Sequence, residues 1–177
     1  METFEEILTA GGHTNSLGRS GEVLKAVQND PSKIDELFRC IQAEDAWVRM
    51  RAIDTFEKLV KDDPELARPY LSSIFTDLTT SSQASIQWHL AQLFAEIELN
   101  EQQKHDAIAW LTSKIKSTEV DWIVSVNVMR TLLYFHKAGL IRSESLRLLF
   151  KTQASHKSKS VRKKAELFLT ELKATNS

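Results

Sequence analysis

Side chains that carry catalysis or hold metals must recur at set spacings, and this chain offers few such arrangements. Its histidines (His13, His89, His105, His136 and His156) never stand at H-E-x-x-H or H-x3-H spacing, so no pair of metal ligands shares a helix face and no metal site is expected. Cys40 is the sole cysteine, with no partner for a disulfide or a zinc site and no local Cys/His signature of a nucleophile. A Gly-x-Ser-x-Gly elbow does not occur. The stretch GGHTNSLGRSG, from Gly11 to Gly21, holds four of the five glycines and is the one candidate phosphate loop. In it Gly12 and Gly18 stand one residue too far apart for a Walker loop, Arg19 replaces the lysine, and the preceding segment reads as helix rather than strand. A turn between helices, with Asn15 or Ser16 as N-cap, is the expectation, and no cofactor is expected.

The elements that would have to position any site are helices. The 177 residues carry a net charge of −1 and 42% hydrophobic residues, enough chain to bury a core. Five Gly and three Pro are too few for a β-sandwich or a low-complexity linker. Asp30-Pro31 and Asp63-Pro64 each place a capping Asp before a Pro suited to a first helical turn. Ile34, Leu37, Phe38 and Ile41 follow at helical spacing, and no stretch alternates at the period of a strand. The opening METFEEILTA has no basic region or apolar run of a signal peptide, no apolar stretch is long enough to span a bilayer, and no N-x-[ST] sequon occurs. A cytoplasmic address with no membrane partner is therefore expected.

The chain also resembles itself. Aligning the segments that begin at Ala46, Ala84, Trp122 and Lys159 puts Val48, Ile86, Val124 and Val161 in one column, spaced by about 38 residues. Further columns hold Ala52, Leu90, Val128, Ala165; then Phe56, Phe94, Leu132, Leu169; then Leu59, Ile97, Phe135, Leu172. Positions i, i+4, i+8 and i+11 supply one buried helix face. A first helix precedes each, over roughly 31–42, 64–79, 101–116 and 143–153.

At Asp45-Ala-Trp-Val48-Arg49-x-x-Ala52 the pattern resembles the Asp-x-x-Val-Arg-x-x-Ala core of HEAT-like, armadillo-type helical repeats. The third unit keeps Asp121 and Val124 with Ser125 for Arg, and the fourth keeps Val161-Arg162-x-x-Ala165. The second has Gln83 and Gln87 at the polar positions. The resemblance implies one all-α domain over 1–177, a right-handed α-α superhelix (HEAT-like solenoid) of about five helix pairs. Residues 1–29 would form a degenerate N-terminal capping pair, and 30–175 the four repeats. It further implies ladders of the Asp and Arg side chains between repeats.

In such arrays the second helices line a concave face. Opposite the buried columns they carry Trp47, Met50, Arg51 and Asp54; Trp88, His89 and Gln92; and Val126, Asn127, Arg130 and Tyr134. Apolar and aromatic residues stand there where a solvated face is expected, marking a groove. The leading expectation is a non-catalytic scaffold or adaptor that binds a protein or peptide along this face, as a monomer or a homodimer. The alternative is a nucleic-acid-binding or DNA-repair protein, because the HEAT-like DNA-alkylation-repair glycosylases are similar in architecture. From Lys137 onward ten Lys and Arg stand against three Asp and Glu, with a patch at Lys157, Lys159, Arg162, Lys163 and Lys164 that could bind phosphate. Against this, the first 136 residues are acidic, with thirteen basic against twenty-one acidic residues. A third reading is an enzyme whose site combines Asp54, His89 and Asn127.

Overall fold

Several of the long helices begin where the sequence supplies a side chain to accept their first amides. Asp45 Oδ1 accepts from the amides of Trp47 (2.6 Å) and Val48 (3.2 Å), and Asp121 Oδ1 accepts from Ile123 (3.0 Å). Asn100 and Gln103 form a reciprocal capping box. Asp30 and Asp63 cap the turns that Pro31 and Pro64 open, and both turns are 3₁₀ rather than α.

The computed structural model describes residues 2–12 and 16–174. They form ten α-helices: α1 (Phe4–Thr9), α2 (Ser20–Asn29), α3 (Ile34–Cys40), α4 (Ala46–Asp62), α5 (Leu71–Thr76), α6 (Ala84–Glu96), α7 (Glu101–Lys114), α8 (Trp122–Lys137), α9 (Ser143–Gln153) and α10 (Lys159–Ala174). No strand occurs among the described residues, so the chain is all-α. No helix among them is long and apolar enough to cross a membrane.

The chain divides into two compact units, Met1–His89 and Leu90–Ser177. In the first, α3 packs on α4, α1 on α3, and α2 on α4. Helices α1 and α2 thus lie on the next pair, α2 on its second helix and α1 on both. In the second unit α7 packs on α8, α9 on α10, and α8 on α10. The aligned columns form the cores: Val48, Ala52, Phe56 and Leu59 are buried in the first unit, and Val124, Val128, Leu132 and Phe135 in the second.

Leu169 departs from its column. It is half-buried, while Phe168 takes the inner place. The reason is the neighbour on α9: the Phe168 ring packs against Phe150 at 6.0 Å, which turns the inward stripe of α10 to Val161, Ala165, Phe168 and Leu172.

The polar repeat positions tie each second helix to the loop before it. Arg49 Nη1 donates to the Ala43 and Glu44 carbonyls (both 2.7 Å), and Arg162 Nη1 donates to those of His156 and Lys157 (both 2.8 Å). Gln87 Nε2 makes the equivalent bond to Ser81 (2.9 Å). Ser125 is too short for this. In its place Gln153, from the following pair, accepts from Ser125 Oγ (2.8 Å) and donates to the Ile115 and Ser117 carbonyls (3.0 and 2.8 Å). Arg49 also donates to Gln83 (2.7 Å), whose amide returns to the Ala46 carbonyl, so side-chain bonds do join successive pairs. The aspartates serve as N-caps instead.

Candidate functional site

In the first unit, helix α4 sets most of the geometry. It enters through the exposed Trp47 and half-buried Met50, but from Arg51 to Glu57 every residue is buried. The cause is that α1, α2, α3 and the turn at 64–70 all pack on this one helix, leaving no polar side in its middle. Arg51 is therefore not a groove residue. It is 3% exposed, and its guanidinium donates to the carbonyls of Ser16 (2.9 Å) and Leu8 (2.5 Å).

This bonding explains the glycine-rich segment. Gly11, Gly12 and Gly18 all have positive φ, and a Cβ on Gly18 would lie 2.1 Å from the Gly11 carbonyl oxygen. The loop turns carbonyls towards a buried cation, whereas a phosphate loop turns N–H groups towards an anion. Ser16 Oγ accepts from the Gly18 amide, and the N-cap of α2 is Arg19 with no side-chain cap bond. Ser16 is thus not the cap; Asn15, the other expected cap, and His13 lie outside the described residues.

Asp54 and His89 meet in this unit. Asp54 is 9% exposed and accepts from Lys58 Nζ at 2.7 Å. His89 is 1% exposed, with the half-buried Trp88 ring stacked on it at 3.4 Å between centroids. Burial, with the Lys58 cation adding to it, pushes the imidazole down to about 3. The ring is therefore neutral, and its 3.9 Å approach to Asp54 is neither a hydrogen bond nor an ion pair. Both ring nitrogens are buried without a hydrogen-bond partner among the described residues. The expected placement of His89 on an open face is corrected: it is a core residue.

That burial carries a pH dependence with a definite sign. The folded ring stays neutral down to about 3, while in the unfolded chain it takes a proton near 6.5. Above about pH 6.5 the group leaves stability unchanged; below it stability is expected to fall, by at most about 1.4 kcal/mol per pH unit. Urea titrations at about pH 7 and about pH 5 would show this slope, and His89→Leu should flatten it. An unchanged slope in His89→Leu would contradict the assignment.

In the second unit Asn127 is 6% exposed and spends its amide within the protein, donating to the Ile123 carbonyl at 2.8 Å. Its Oδ1 accepts from Gln92 Nε2 and from Arg130 Nη1, each at 3.3 Å. Asn127, expected to face a ligand, is instead the buried post on which the exposed Arg130 rests. Val126 and Gln92 are half-buried, and Tyr134 is 51% exposed. Tyr134 borders a cleft of about 290 Å3 whose walls include Phe94, Ile97, Leu99 and Lys104.

Lys157, just before α10, and Lys159 and Lys163 on it are exposed, and Lys164 is half-buried. Arg162 is not available to phosphate in the same way, because Nη1 is held by two carbonyls. Cys40 is 5% exposed, and burial, with Glu5 and Glu36 adding to it, pushes its thiol up to about 11. Such a thiol is a poor nucleophile. No group of three or more His, Cys, Asp and Glu that could hold a metal occurs among the described residues.

The surface residues missed from the sequence are Trp122, 52% exposed at the start of α8, and Leu148, 72% exposed on α9. Both had a signal: a Trp at a first-turn position, and a third leucine in a helix whose stripe uses Leu146 and Phe150. No protein-family model, curated protein or solved structure matches the chain.

Proposed function

We propose that this chain is a HEAT-like repeat protein of the cytoplasm that works as a non-catalytic interaction module, binding a protein or peptide along the face of its second helices. Like-on-like packing of the pairs, α2 on α4 and α8 on α10, supports the repeat architecture. The observation that carries the function is the surface left by those helices. In the first unit Trp47 is 38% exposed, with Met50 and Trp88 half-buried; in the second Tyr134 is 51% exposed, with Val126 half-buried and Arg130 exposed. Trp, Tyr and Arg are the residues in which interface energy concentrates.

Random-peptide display on the full chain, followed by titration of a selected peptide, tests this. Trp88→Ala and Arg130→Ala should each weaken binding by about 2 kcal/mol or more. No selected peptide at all, or none among the selected peptides whose binding responds to either substitution, would overturn the reading. The alternative, a nucleic-acid or DNA-repair protein, draws on the lysines around the start of α10. It requires DNA or RNA binding that falls steeply with salt and weakens when Lys157, Lys159, Lys163 and Lys164 are neutralised.

A further inference from the structure

A second apolar surface lies in the second unit, away from the columns just discussed. Helix α8 ends in a Schellman turn: Gly139, at φ 78°, donates to the His136 carbonyl and Leu140 donates to that of Phe135. The turn sends Leu140 and Ile141 outward, where they join Ile108 and Thr112 of α7 and Leu148 and Leu149 of α9 around a groove of about 490 Å3. Leu148, at 72% exposure, is the most open large apolar side chain described. An apolar wall of this kind, with leucines in solvent on an otherwise polar helix face, marks a contact site.

The groove also has a sign. Arg142 is the one charged side chain in its lining and is exposed; the Glu144 carboxylate feels its charge without forming an ion pair or hydrogen bond with it. The surrounding unit is basic as well: residues 90–177 carry fourteen Lys and Arg against nine Asp and Glu. We propose that this groove docks a short apolar segment of a partner protein that carries a carboxylate. Leucine-like side chains of the segment would lie on Leu140, Leu148 and Leu149, and its carboxylate would take the two parallel N–H donors of Arg142. The fit is to an acidic–apolar linear peptide, and it gives the interaction module a second, chemically distinct docking site on its first helices.

Both anchors are surface residues, so they can be changed without touching the core. Random-peptide display on the full chain should yield a class of peptides that pairs Leu or Ile with Asp or Glu. Their binding should survive Trp88→Ala and weaken by roughly tenfold or more in Leu148→Asp and in Arg142→Glu. Replacing the peptide's acidic residue by its amide should cost wild type affinity and return some affinity to Arg142→Glu, where it relieves a like-charge repulsion. Three results would overturn the proposal: no such class, peptides indifferent to Leu148→Asp, or a wild-type dimer in sedimentation that Leu148→Asp converts to monomer. Peptides lost only in Trp88→Ala would refute this groove and leave the second-helix reading standing.

Discussion

Phe94→Ala is expected to cost about 3–5 kcal/mol of folding free energy, through lost transfer energy and the cavity left behind. Phe94 is 1% exposed and meets the Trp110 ring edge-on at 5.7 Å, so both the α6 column and the α7 wall lose contact at once. Urea unfolding followed by far-UV circular dichroism measures the loss. A cost below about 1 kcal/mol would mean that the column aligning Phe56, Phe94 and Leu132 does not describe the core.

Arg51→Met is the second large effect, at about 3 kcal/mol. Methionine retains an apolar stem in the buried channel but removes every donor, leaving the Leu8 and Ser16 carbonyls without the guanidinium that now meets them. Because those carbonyls belong to the end of α1 and the glycine-rich turn, hydrogen exchange should accelerate first at the amides of α1 and α2. Arg51→Lys should recover only part of the loss, since one ammonium cannot reproduce the planar fork. Full stability in Arg51→Met would show that the loop holds itself.

These two residues also mark how far the sequence could be read. Phe94 stands in a column repeated at 38-residue spacing, and helical period alone places it inside. The same period misplaced Arg51, His89 and Asn127, because it assumes a helix with one buried face. Helix α4 is covered from several sides, and only the fold of residues 1–29 over it shows why Arg51 must be inside. The aspartate caps were legible, as their residue type and place before a helix dictate the bond. Gln153 was not: its role depends on Ser125 being too short to reach its own loop, a relation between residues 28 apart. Leu148 was visible as one leucine too many, but its groove needed Gly139 to turn Leu140 towards it.

The central claim, a peptide-binding face built on second helices, is tested most directly by one paired measurement on Trp88→Ala. A display-selected peptide is titrated calorimetrically into wild type and variant, and the urea midpoint of each protein is recorded alongside. The account predicts binding weakened by about 2 kcal/mol or more with a stability loss well below that of Phe94→Ala. Unchanged affinity of every selected peptide, or unfolding as severe as that of Phe94→Ala, would contradict it.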